Sequence, residues 1–328
     1  MLRMIFTNNK MVRSPARGVY QLSILCVWVW FYIIPHAAVS QNELRDEEPS
    51  DKINQSDSQG IVKISLPITQ AIERADLYFW APSTVKEKAE GILVLVPGRN
   101  GNGRGFLEDE NWRGYAKKNN LVLCGVSYSS DRRFIEQSYS NAHSGSGKML
   151  LAGIERYLGE EQGKKIPILI YGFSAGARFT ASFVEANSER VVAWCAYAVS
   201  RWQDARKTIS LPPGIVASGE WDAVCYHASL LYFQQGRKLG KPWVWLSLKE
   251  TGHRWSPQLD GFVKVFFSEA LAAREGEAGI AFLDKGSFRD IDSHKELTKK
   301  EVEAWPIFSV QLPASKKIQD YWVEIHHP

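Results

Sequence analysis

Between Gly91 and Leu248 the chain repeats one alternation: a short run that is apolar almost throughout, then a segment whose apolar residues recur at helical spacing. The apolar runs are "GILVLVPG" (91–98), "LVLCGVSY" (121–128), "IPILIYG" (166–172), "VVAWCAYA" (191–198), "GIVASG" (214–219) and "PWVWLSL" (242–248). A strand that is apolar on both sides of its pleat must be covered on both faces, which is the condition of a parallel sheet sandwiched by helices. The segments "NWRGYAKKNN", "KMLLAGIERYL", "AGARFTASFVEA", "VCYHASLLYFQQGRKL" and "PQLDGFVKVFFSEALAARE" supply those helices. Ahead of them, "IVKISLPI" and "DLYFWAP" read as an antiparallel opening pair. The expectation is an α/β fold of about eight strands, mostly parallel, with helices on both faces. It forms one domain over residues 61–283.

The flanks read differently. Residues 1–40 contain Arg3, Lys10, Arg13 and Arg17, no acid, and an apolar run from Leu22 to Ile34. Pro35 ends that run, and Ala38-Val39-Ser40 offers the small residues a signal peptidase requires. The run falls short of the roughly 20 residues that span a bilayer. The segment is therefore expected to be an export signal, making the protein secreted or periplasmic, with an uncleaved N-terminal anchor as the alternative. Stable membrane insertion is not expected once the signal is removed. Without this segment the chain has as many basic as acidic residues, so nothing in its charge points to nucleic acid. Residues 41–60, "QNELRDEEPSDKINQSDSQG", have the composition of a disordered linker, with a glycosylation sequon at Asn54. Cys124, Cys195 and Cys225 are too few and too scattered for a disulfide framework or a zinc site, although one pair could form. Residues 284–328 are expected to pack on the domain as an extension, with a charged helix in "SHKELTKKEVEAW" and a short strand in "DYWVEIH".

One junction carries chemistry. In "ILIYGFSAGARFT" a buried strand passes into a helix through Gly172-Phe173-Ser174-Ala175-Gly176. A sharp strand-to-helix turn exposes a serine hydroxyl beside the amides and positive dipole of a helix N-terminus. The first glycine avoids a clash and the second lets the helix come close. The bland alternative is an ordinary strand–helix turn. A hydroxyl becomes nucleophilic only when a base takes its proton, and a carboxylate must hold that base in the right tautomer. On such a fold the order is serine, acid, histidine, each after a later strand. Glu220-Trp221-Asp222 follows "GIVASG", and Thr251-Gly252-His253 follows "PWVWLSLKE". Ser174, Asp222 and His253 are the candidate catalytic residues, with Glu220 the alternative acid. His227 falls on a helix, His143 precedes the serine, and His294, His326 and His327 lie in the tail. For an oxyanion, the N–H of Ala175 and the N–H of Arg99 in "PGRNG" are the expected donors, with Asn100 the next choice. "GNGRG" and "HSGSGKM" lack the residues that a nucleotide loop needs at its defining positions.

Through "GFSAG", "GEWD", "TGH" and "PGRNGNGRG", residues 61–274 resemble the α/β-hydrolase superfamily, in particular exported esterases of the dienelactone-hydrolase and polysaccharide-esterase type. One departure is Pro97, where relatives often have His before the glycine. The resemblance implies an eight-stranded, mostly parallel sheet and hydrolysis of esters, with no metal or organic cofactor. The connection between the fourth apolar run and the fifth is only about Ser200 to Pro213, so little or no cap domain is expected and the site should be open. Trp202, Trp221 and Trp255 fall near its rim and are candidate substrate-binding residues; in a chain with 12 tryptophans they are equally well placed to pack loops. The expected substrate is a small-molecule or polysaccharide ester, such as an acetyl or feruloyl ester. An acyltransferase or peptidase using the same residues, and a non-catalytic binding module on the same scaffold, are the alternatives.

Overall fold

The computed structural model describes residues 56–326 apart from 84, 132, 134–135, 204, 206–209, 275–282 and 284–285. The expected export signal, most of the linker, Asn54 and His327 lie outside the described residues.

The opening strands β1 (Val62–Ser65) and β2 (Arg74–Trp80) pair antiparallel, Val62 opposite Phe79. Then come β3 (Gly91–Val96), the short helix α1 (Arg104–Glu108), α2 (Glu110–Lys118), β4 (Leu121–Ser129), α3 (Ser146–Leu158), α4 (Glu160–Lys165) and β5 (Ile168–Phe173). Next follow α5 (Ala175–Ala186), β6 (Val191–Tyr197), β7 (Gly214–Gly219), α6 (Ala223–Lys238), β8 (Trp243–Leu248) and α7 (Pro257–Arg274). The eight strands form one sheet in the order β1-β2-β4-β3-β5-β6-β7-β8. β2 runs antiparallel to β4, and every pairing from β4 to β8 is parallel. This is the α/β-hydrolase fold. β3, β7 and β8 are buried at every position, so helices must cover both faces, as their unbroken apolar sequences require.

The strand order explains where a ligand can sit. The chain steps from β3 outward to β4, then crosses back to place β5 on the other side of β3. At such a reversal the loops leaving the two strands part, and a crevice opens beyond their carboxyl ends. The "PGRNG" loop leaves β3 there, and Ser174 follows β5 directly.

Residues 286–326 do pack on the body, through elements that the sequence only half discloses. β9 (Ser287–Asp290) pairs antiparallel with both β10 (Glu296–Leu297) and β11 (Ser309–Leu312). The charged stretch forms the short helix Lys299–Ala304, entered through a capping box between Thr298 and Glu301. "DYWVEIH" is not a strand. It belongs to the helix Lys316–His326, because Ile318, Trp322 and Ile325 recur at helical spacing and all three are fully buried in the common core. That helix covers the free edge of β8. Trp322 Nε1 donates to the Trp245 carbonyl at 2.8 Å, and the Ser247 N–H donates to His326 Nε2 at 3.2 Å. Two side chains thus occupy backbone groups that an open sheet edge would leave unpaired. Cys124, Cys195 and Cys225 are buried free thiols. Among the described residues no helix is long and apolar enough to cross a membrane.

Candidate active site

The turn between β5 and α5 is as tight as the glycine spacing implies. A Cβ on Gly172 would lie 2.2 Å from the Gly176 carbonyl oxygen, and one on Gly176 would lie 2.4 Å from the carbonyl oxygens of Val96 and Pro97. Glycine at both positions lets α5 press against the ends of β5 and β3. Ser174 pivots the chain at φ 55° and ψ −119°, and its N–H still donates to the Tyr197 carbonyl at 2.8 Å. The backbone is therefore both strained and pinned.

Two further loops reach the same point. Asp222 leads into α6 after β7, and His253 stands in the loop after β8. A Cβ on Gly219 would lie 2.1 Å from the Thr251 carbonyl oxygen, so only glycine lets these loops close. The Trp221 N–H donates to that carbonyl at 3.0 Å, tying one loop to the other. His253 Nδ1 lies 2.6 Å from Asp222 Oδ2, and His253 Nε2 lies 2.9 Å from Ser174 Oγ. The carboxylate side chain is nearly buried, whereas the imidazole is 44% exposed. Glu220 turns away and accepts from Ser247 Oγ at 3.2 Å. His227 lies on α6, its Nδ1 2.7 Å from the Ala223 carbonyl.

Behind the imidazole sits Cys225, its Sγ 3.6 Å from His253 Nδ1. Burial, and then the Asp222 carboxylate, push its thiol up to about 12, so it remains protonated beside the histidine. Asp222, Cys225 and His253 form a cluster of potential metal ligands, their donor atoms within 4.8 Å of one another. An ion bound there would take Nδ1 away from Asp222.

The loop after β3 is held from several sides. Arg74 on β2 donates from Nη2 to the carbonyls of Asn100 (2.8 Å) and Gly101 (3.0 Å), and from Nε to the Ser127 carbonyl at 3.2 Å. The Asn100 N–H donates to the Tyr139 hydroxyl at 3.1 Å. That amide is thereby spoken for. The N–H groups of Arg99 and Ala175 donate to no other group among the described residues.

The tryptophans separate. Trp221 is 69% exposed beside Asp222. Trp255 packs against Tyr171 and Phe173 and donates to Asp260 Oδ2 at 2.9 Å. Trp202 stacks on Tyr232 with ring centroids 4.0 Å apart and donates to Ser229 Oγ. None of the three lines the cleft at Ser174. For Trp202 and Trp255 the rim role gives way to packing, because flat rings fill the gaps between loops and helices there. Arg74, Tyr139 and Cys225 carry no motif in the sequence. A partner far along the chain places each of them, and no local pattern records that.

No family model matches the chain, and no curated protein matches it by sequence. Among solved structures, a ferulic acid esterase superposes with a TM-score of 0.50 at 14% identity, over 64% of this chain and 98% of that one. A poly(3-hydroxybutyrate) depolymerase from Bordetella parapertussis superposes with a TM-score of 0.43 at 12% identity, over 74% of this chain and 92% of that one. A fluorophosphonate-binding serine hydrolase of Staphylococcus aureus superposes with a TM-score of 0.46 at 13% identity, over 64% and 98%. The first of these supports the α/β-hydrolase fold. At such identity the likeness concerns the fold alone.

Proposed function

We propose that this protein is a serine hydrolase that cleaves carboxylic esters through an acyl-enzyme on Ser174. The observation that carries the proposal is the chain of contacts Asp222–His253–Ser174, with 2.6 Å at one end of the imidazole and 2.9 Å at the other. His253 takes the hydroxyl proton as Ser174 Oγ attacks the ester carbonyl. Asp222 accepts from Nδ1–H, which leaves Nε2 free to act as the base and steadies the imidazolium that forms. The N–H groups of Ala175 and Arg99 stabilise the oxyanion. The proton on Nε2 then passes to the leaving alcohol, and the same histidine activates the water that releases the acid. An acyltransferase or peptidase would use the same groups; acceptor competition and amide substrates separate them from a hydrolase.

On the alcohol side a saccharide fits best. The β6–β7 connection is too short for a cap, and the exposed indole of Trp221 beside Asp222 offers a flat apolar plane to a sugar ring. Acetylated and feruloylated saccharides are therefore the first esters to assay for the alcohol portion, whatever acyl group is preferred. Export belongs to the same reading, with residues 1–40 as the signal. N-terminal sequencing of chain secreted with its own leader is expected to begin at Gln41.

Fluorophosphonate labelling tests the chemistry directly. A single adduct on Ser174, lost in His253→Ala, is expected. A folded protein that takes no label refutes the hydrolase and leaves a ligand-binding module on the same scaffold.

A further inference from the structure

We infer that the cleft at Ser174 takes an acyl group bearing a second carboxylate, so that the preferred substrates are half-esters of dicarboxylic acids. This rests on the ester-hydrolase reading above and adds the chemistry of the acid portion.

The cleft has a volume of about 300 Å³ and is lined by Ser174 and by both proposed oxyanion donors, but not by His253. In a tetrahedral adduct on Ser174 Oγ, the oxyanion points to those donors and the leaving oxygen points to His253 Nε2. The remaining substituent is the acyl chain. A cleft that holds the oxyanion donors and excludes the histidine is thus the acyl side.

Its walls are cationic. Arg99, Arg178 and Arg201 line it, from the loop after β3, from α5 and from the segment after β6. Asp131, the carboxylate among the lining residues, is already held by Arg133 Nε at 2.8 Å and Arg133 Nη2 at 2.6 Å. Glu136 reaches Arg178 and Arg201 only at 3.3 and 3.4 Å and is itself 72% exposed. Arg178 Nε is buried without a hydrogen-bond partner. Arg99, whose charge adds to the hydrogen bonds from Arg133 in holding the Asp131 carboxyl below its usual range, comes within 4.0 Å of no carboxylate among the described residues. Hydroxyls of Ser138, Tyr139 and Ser140 complete a polar wall. A neutral acyl chain would give Arg178 Nε and Arg99 no partner and would leave Arg178 and Arg201 with only the exposed Glu136 as counter-charge. A carboxylate would accept from them in paired, charge-assisted hydrogen bonds, for which the planar guanidinium is well shaped.

The test compares two esters of one chain length, monomethyl adipate and methyl hexanoate, by acid release at constant pH. The wild-type kcat/KM is expected to favour monomethyl adipate at least tenfold, a preference that weakens as salt is raised. In Arg201→Gln the ratio should fall towards one through KM, and Arg201→Lys should restore part of it. Arg201 is 63% exposed, so neither change threatens folding. If both esters turn over equally and Arg201→Gln leaves the ratio unchanged, the anionic subsite is refuted while ester hydrolysis stands. If neither turns over but fluorophosphonate labels Ser174, protection from labelling by adipate and not by hexanamide supports the subsite, and equal protection overturns it. If Ser174 is neither acylated nor labelled, the hydrolase reading fails and the subsite falls with it.

Discussion

Ser174 holds a conformation that L-residues avoid, with φ at 55° and ψ at −119°. Asn100 and Ala198 also have positive φ, at 54° and 62°, and both line the same cleft. Strain of this kind costs about 1–3 kcal/mol per residue and persists only where surrounding contacts enforce it. Ser174→Gly and Ser174→Ala should both abolish turnover, but only glycine relieves the backbone. Chemical denaturation should find the glycine variant more stable than the alanine variant by about 1 kcal/mol. Asp260 is a second residue under constraint. Burial lifts its carboxyl to about 6, against the donation from Trp255. The folded state keeps this proton up to about pH 6, whereas an unfolded aspartate loses it near 3.8. Folding therefore takes up a proton inside that window, and stability falls as pH rises across it, by about 2–3 kcal/mol in all. Asp260→Asn keeps the acceptor for Trp255 and removes the charge. The variant should lose the slope between pH 4 and 6 and melt higher at pH 7. Ser174, Asp222 and His253 were legible because each follows a recognisable strand end. Arg74 was not: the carbonyls that it clamps lie in a loop whose shape only the fold creates.

Among the elements, the contact of α5 with the end of β3 sets the geometry of the candidate site. Gly176 faces the carbonyls of Val96 and Pro97, with no room for a methyl group. Gly176→Ala must push the helix away, and with it the N–H of Ala175 relative to that of Arg99. The expected result is a loss of at least tenfold in kcat, a smaller change in KM, and about 1–3 kcal/mol of destabilisation. A variant with unchanged kcat would remove Ala175 from the oxyanion site. The strands and long helices were readable because a buried strand and an amphipathic helix have different apolar periods. The last seven residues of the helix Lys316–His326, taken alone, read as a strand because Tyr321, Val323 and Ile325 fall at alternate positions. Including Ile318 restores the helical period. The small sheet of β9, β10 and β11 escaped because its strands are short, and β9 is only half-buried.

At the scale of the whole molecule, the extension and the body are one structure. Leu312, Ile318, Trp322 and Ile325 belong to the same continuous core as the strands of the large sheet. The hydrogen bonds from Trp322 and to His326 fall on β8, the strand whose following loop carries His253. A separately folded tail would melt on its own and leave the body of the large sheet intact. A tail sharing the core must unfold with it, because exposing Trp322 exposes the edge of β8 as well. Unfolding of residues 56–328 followed by far-ultraviolet circular dichroism, tryptophan fluorescence and esterase activity should therefore give one coincident transition. Trp322→Ala removes a fully buried indole and its hydrogen bond, and should lower the stability of the whole by about 3–5 kcal/mol. Because the loss falls on a shared core, all three signals should shift together. A second, earlier transition, with activity surviving it, would make the extension an independent unit and leave the β8 edge without need of its cover.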